Sequence, residues 1–165
     1  MPSKRNICPV PFDQQPLNEY KAIKQSTLFS CFASSMQMFV RSLIIIFITS
    51  NILGLFITIF ILNGNKLSLI TFLSNLLFSL ILIEILLIRL YLGWSYIFKR
   101  LSSASIFYEE SGWYDGQLWV KSADVLTQDR LVSVYQVEPL IIRIKNTLVI
   151  VSFVLITLCL ILYIL

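Results

Sequence analysis

Residues 108 to 116 read Tyr-Glu-Glu-Ser-Gly-Trp-Tyr-Asp-Gly and bring Glu109, Glu110 and Asp115 close together. Carboxylates so grouped can serve glycoside hydrolysis or hold a hard cation. The rest of the chain gives them little help. It contains no histidine, which removes the usual general base near neutral pH and the commonest transition-metal ligand. The Glu-x-x-His pairing of di-iron sites is therefore impossible, and no phosphate-cradling glycine loop is present. Cys8, Cys31 and Cys159 form no Cys-x-x-Cys pair, so neither a disulfide framework nor a zinc site is indicated. Cys8-Pro9 resembles weak haem-thiolate sites, but its plainer reading is a thiol in an extended arm. We assign no catalytic residue, no metal ligand and no cofactor; pigment or haem stays open. The acidic stretch reads instead as a turn that pairs with lysine or arginine of its own loop, or docks a partner.

A second set of candidates lies in apolar surroundings: Asn75, Glu84 and Arg89. At 100° per residue, Ser68, Thr71, Asn75, Ser79 and Arg89 fall near one line of a helix, with Glu84 opposite. Arg89 suits a membrane boundary, where its head can snorkel, among the aromatic belt of Tyr91, Trp94 and Tyr96. Glu84 would sit about one turn inside that boundary, where a carboxylate needs a partner. Either a second protein or a pigment-type ligand covers it, or it meets Arg41 or Arg143.

The elements that must hold these residues follow from composition. The 165 residues are 57% hydrophobic and 13% charged, against about 45–50% and about 25% in soluble domains. The excess belongs in lipid. The net charge of +4 is read as a topological signal rather than a nucleic-acid footprint, because no nucleic-acid-binding motif accompanies it. The sequence predicts an all-α membrane protein. It has an N-terminal arm and interfacial amphipathic helix (1–41), spans at 42–62 and 67–90, a large loop (91–146) and a last span (147–165). A bilayer core of about 30 Å takes about 20 helical residues, and each span meets that. In span one, Ser50, Gly54 and Thr58 form a ladder of small residues suited to close helix packing. Lysine and arginine concentrate in the arm and the large loop, which the positive-inside rule places on one side.

In the arm, Asn18 is expected to cap the first helix, with Glu19 in its first turn. In the large loop the helix of span two is expected to run on through Leu101, Ala104, Ser105 and Tyr108 and to stop at Ser111-Gly112. Asp115-Gly116 then signals a tight hairpin turn between Trp113-Tyr114 and Gln117-Leu118-Trp119-Val120. Ser122 caps a following helix, and Pro139 opens another that leads into span three.

Several blocks resemble one known family. Cys8-Pro9-Val10-Pro11 and Gln14-Gln15-Pro16-Leu17-Asn18-Glu19-Tyr20 are similar to the opening of the hypothetical chloroplast reading frame thirty-six family of plastid and cyanobacterial membrane proteins, with relatives across the green lineage and diatoms. The stretch from Tyr108 to Gly116 matches a second family block. Gln117 to Lys121, Asp129-Arg130-Leu131 and Tyr135 to Pro139 match a third. Ser122 replaces a proline, and Gln128 a basic residue, of the family pattern. The resemblance implies a chloroplast membrane, the thylakoid, with arm and large loop in the stroma; it implies no activity. The expected function is a non-enzymatic scaffold or auxiliary factor for assembly or acclimation of photosynthetic complexes. A small stoichiometric subunit is the alternative, and a transporter centred on Asn75 and Glu84 a distant third. Partners are the bilayer and other membrane proteins of that apparatus, not nucleic acid. Docking is assigned to Cys8, Pro9, Pro11, Asn18, Glu19, Tyr20, Glu109, Glu110, Trp113, Tyr114, Asp115 and Trp119.

Overall fold

A computed structural model describes residues 9–61, 69–109 and 116–164. Cys8, Glu110, Trp113, Tyr114 and Asp115 lie outside the described residues, as does the position of the helix stop expected at Ser111-Gly112. The helices are α1 (Pro16–Gln25), α2 (Thr27–Ala33), α3 (Met36–Ile61), α4 (Leu69–Ser102), α5 (Ala123–Val132) and α6 (Glu138–Ile164). Strands β1 (Ser105–Tyr108) and β2 (Gln117–Val120) pair antiparallel. The fold class is the expected one. Three helical stretches are long and apolar enough to cross a membrane: α3, α4, and α5–α6 taken together.

The arm differs in detail from its sequence reading. Helix α1 starts at Pro16, with Gln15 in extended backbone before it. Proline suits the first helical position because its missing N–H has no partner there in any case. Asn18 is thus inside the first turn, and its Nδ2 donates back to the Phe12 carbonyl (3.0 Å) and to Gln15 Oε1 (3.2 Å). The amphipathic helix expected along the arm is interrupted at Ser26 and again at Ser34, both extended. Each serine hydroxyl donates to a carbonyl of the preceding turn, at Ile23 and Ser30. Such local bonds compete with helix continuation.

Helix α4 is the axis of the molecule. Its 34 residues extend about 51 Å at about 1.5 Å each. About 20 of them suffice for a bilayer core, which from Leu69 reaches Ile88. The remainder, from Arg89, projects beyond it. Leu87, Leu90, Trp94, Ile97 and Leu101 are fully buried along one stripe, the 3.6-residue periodicity of a helix packed on one side. Helices α3 and α6 both pack along α4. Ser102 meets Ser133, and Glu84 meets Ser152, so α6 runs antiparallel to α4.

Pro139 lies in the first turn of α6 as expected, but α6 is not separated from α5. Residues 123 to 164 form one continuous helical stretch, with a π turn at Ser133–Val137. Proline offers no N–H to the carbonyl four residues back, and its ring clashes with it. A one-residue widening upstream relieves both problems. It also places Ser133 and Val137, both fully buried, against the core.

The hairpin also departs from expectation. Helix α4 ends at Ser102, and the segment assigned to its continuation is β1. Ile106 faces Trp119, and Tyr108 faces Gln117. The strand partner of Gln117–Val120 is Ser105–Tyr108; the expected Trp113-Tyr114 strand and the Asp115 turn position lie outside the described residues. Ile106 and Tyr108 are buried while Phe107 is exposed, the period-two alternation of a half-covered strand.

The small-residue ladder of α3 faces α4. Ser50 and Gly54 are buried, and a Cβ added at Gly54 would stand 1.8 Å from Asn75 Oδ1. Gly54→Ala should therefore displace Asn75 and lower stability by about 1–3 kcal/mol, the usual range for overpacking. Gly116→Ala, with nothing within 4 Å of its Cβ position, should be near neutral. Thermal unfolding of both variants in detergent checks the contrast.

Candidate docking head and its buried ion pairs

The end of α4, the arm, the hairpin and α5 form one head. Its root is Lys121, the residue after β2. The Lys121 amide donates to the Ala104 carbonyl at 3.0 Å and prolongs the ladder. Its ammonium donates to the Arg100 carbonyl (2.9 Å) and the Leu101 carbonyl (3.1 Å). These belong to the last turn of α4, where carbonyls lack helical partners and the dipole favours a cation. Asp129 of α5 completes the site with its Oδ2 2.6 Å from Lys121 Nζ. Both side chains are almost wholly buried, so each carries the other's charge.

A second knot fixes the arm. Arg100 donates through Nη2 to the Gln14 carbonyl (2.7 Å) and through Nη1 to the Tyr96 hydroxyl (3.2 Å). Its Nε lies 2.8 Å from Glu19 Oε2. The side-chain amide of Gln14 binds the backbone of Glu109 twice, accepting from its N–H and donating to its carbonyl, both at 2.9 Å. Gln14 thus serves as a surrogate strand neighbour just past β1. Tyr20 is buried, its ring centre 6.2 Å from that of Trp94, and its hydroxyl donates to Gln136 Oε1 at 2.6 Å.

The residues assigned to docking therefore divide. Glu19 and Tyr20 point into the chain, and Asn18 is tied to the arm's own backbone. Trp119 is half-buried and, with Pro16, Leu17 and Val125, lines a cavity of about 330 Å³ between arm, β2 and α5. Pro9 and Glu109 are exposed, and Pro11 is half-buried. Among the described residues, no three His, Cys, Asp or Glu side chains gather as a metal site would require.

The intramembrane candidates also find their neighbours in the chain. Asn75 Nδ2 donates to the Asn51 carbonyl at 3.2 Å. Glu84 meets neither Arg41 nor Arg143: the Ser152 hydroxyl of α6 donates to its Oε1 at 2.6 Å. Arg143 instead donates to the Ser34 carbonyl at 2.9 Å. Arg89 is exposed and lies over the Phe29 ring, 5.9 Å from its centre. Sequence reasoning gave no role to Gln14, Arg100, Lys121 or Asp129. The available signal was the presence of Gln14, Lys121 and Asp129 in the family-like blocks.

A family model described as CGLD27-like, conserved in the green lineage and diatoms 27, matches residues 8–150. The chain belongs to this family. It is 46% identical to the ycf36 protein of Porphyra purpurea over 143 residues, 87% of each chain. It is 43% identical to the ycf36 protein of Cyanophora paradoxa, covering 86% of this chain and 89% of that one. The chloroplastic protein named conserved in the green lineage and diatoms 27 of Arabidopsis thaliana is 41% identical, over 85% of this chain and 43% of the relative. No solved structure matches the chain.

Removing one member of the Lys121–Asp129 pair strands the other in the interior. Lys121→Met should cost about 3–5 kcal/mol, and adding Asp129→Leu should restore part of that loss, because an apolar pair avoids the uncompensated charge. Thermal unfolding followed by near-ultraviolet circular dichroism measures both. Glu19 adds a pH dependence. Burial pushes its carboxyl above the ordinary value of 4.5, and the Arg100 guanidinium pulls it back only in part. The folded chain thus holds this proton more tightly than the unfolded chain. The resulting stability is complete below about 4.5 and is lost as pH rises through the folded-state value. Relative to Glu19→Gln, the wild type should gain stability as pH falls from neutrality toward that value, as unfolding curves across the range would record.

Proposed function

We propose that this chain is a non-enzymatic scaffold of a chloroplast membrane, the thylakoid, with arm and head on the stromal side. It helps assemble or acclimate photosynthetic complexes by docking another membrane protein of that apparatus. The chloroplastic name of the Arabidopsis relative supports the compartment, and three helices long and apolar enough to cross a bilayer support the membrane. The observation that carries a docking role is the outer face of the hairpin. Phe107 is 69% exposed, Leu118 53% and Val120 65%. Phe107 and Leu118 are directly opposed across the two strands, so their side chains share one face. The head is otherwise tied by the buried Lys121–Asp129 pair and the part-buried Arg100–Glu19 pair, which leaves an apolar platform on a rigid base. Apolar and aromatic side chains held in place on a surface are the material of interaction sites.

The test is affinity purification of the tagged protein from chloroplast membranes. Assembly intermediates of a photosynthetic complex should co-purify with wild type, and Phe107→Ser with Leu118→Ser should reduce recovery at unchanged protein level. Stoichiometric recovery with a mature complex would identify a permanent subunit instead. Undiminished recovery with the double variant would remove the hairpin from the docking surface.

A further inference from the structure

We infer that the notch between α1–α2 and α4 binds an anionic membrane lipid, with Arg89 holding its phosphate or sulfonate headgroup. Arg89 stands where α4 leaves the length a bilayer core requires. Its guanidinium rests on the Phe29 ring at 5.9 Å. Among the described residues no carboxylate pairs with it, since the ion pairs there are Arg100–Glu19 and Lys121–Asp129. A cavity of about 450 Å³ opens beside it, lined by Ile23, Ser26, Phe29, Arg89, Gly93 and Tyr96. Gly93 shapes this hollow, because a Cβ there would stand 2.6 Å from the Phe29 ring. The ring can therefore lie close on α4 and leave the guanidinium open on its outer side.

Apolar surface also lies one turn deeper on α4. A second cavity, of about 420 Å³, lies beside α2 and is lined by Leu28, Phe32, Ile45, Ile46 and Leu86 among others. Leu86 is three residues before Arg89 and so on the same side of α4. A cationic pocket at headgroup level with an apolar trough one turn deeper matches a molecule with a charged head and acyl tails. Charge complementarity selects the head. Lys21 and Lys24 of α1 are exposed, whereas Glu19 is held by Arg100 and Glu84 by Ser152. An uncharged head would leave Arg89 without a counter-charge, and a zwitterionic head would bring its own cation to a surface that already carries the exposed Lys21 and Lys24. Guanidinium groups form strong paired hydrogen bonds with phosphate-type oxygens, and basic pockets between membrane helices are recognised anionic-lipid sites.

The test uses the full chain in neutral detergent, with native mass spectrometry and thermal unfolding as readouts. The probes are a two-chain phosphatidylglycerol, a phosphatidylcholine with the same chains, and inorganic phosphate. Phosphatidylglycerol should stay bound and raise the unfolding midpoint, and the other two should not. Arg89→Gln should weaken phosphatidylglycerol binding at least about fivefold, the factor that corresponds to about 1 kcal/mol for one basic residue at an anionic lipid surface. Arg89→Lys should keep part of it, and Lys99→Gln all of it. Equal retention of phosphatidylcholine, an equal midpoint shift by inorganic phosphate, or unchanged binding by Arg89→Gln would each overturn the inference.

Discussion

Helix α4 ends in carbonyls that its own backbone cannot satisfy, and the ammonium of Lys121 takes two of them. A lysine buried to that depth requires an anion, and Asp129 supplies it from another helix. One buried charge pair therefore joins the end of α4, the end of β2 and the middle of α5. The hairpin depends on that junction. Two strands alone are marginal in water; here their base cannot move without exposing or orphaning a charge. The arm closes the head from the other side, through Arg100 of α4, which grips both Glu19 and the Gln14 carbonyl.

Within the apolar length the same helix is held by side-chain hydrogen bonds to its neighbours. Asn75 meets Asn51 across the α3 interface, and Glu84 meets Ser152 across the α6 interface. In lipid the hydrophobic effect does not choose between helix registers, so close packing and hydrogen bonds must do so. Gly54 provides the first and Asn75 the second at one point of contact. Asn75 and Glu84, the residues of the transport reading, each hydrogen-bond a neighbouring span and can pin its register. The two-sided covering of α4 inferred from Asn75 and Glu84 is provided by the chain's own first and last spans.

What could be read from the sequence follows from how directly each feature is imprinted there. The length of an uncharged run reflects bilayer thickness, so the spans were legible. Strand β1 was not, because Leu101, Ala104, Ser105 and Tyr108 also fit a helical face. Over so few residues the two periods overlap; the alternation of Ile106, Phe107 and Tyr108 gains meaning once its partner strand is known. Pro139 carried two compatible meanings, a helix start or a mid-helix defect, and a π turn that absorbs the defect has no sequence period of its own. The Lys121–Asp129 pair spans a strand-to-helix corner, where no periodicity places one residue beside the other. Family-like blocks marked both residues without saying why.

The structure supplies a reason for those blocks. Gln14, Pro16, Glu19 and Tyr20 of the arm, and Lys121 and Asp129 of the loop, are joined to the chain itself by bonds, ion pairs or burial. Residues so engaged build a base for the hairpin. In the docking role proposed above, recognition falls to side chains that the base presents outward, and on the described hairpin the exposed apolar ones are Phe107, Leu118 and Val120. Such a surface has value only if it is held still, because ordering a loose hairpin on contact would draw on the binding free energy. In the docking role proposed above, the buried charges at its root and the apolar face at its front are two parts of one requirement: the first would fix the strands before a partner arrives, and the second would be what that partner meets.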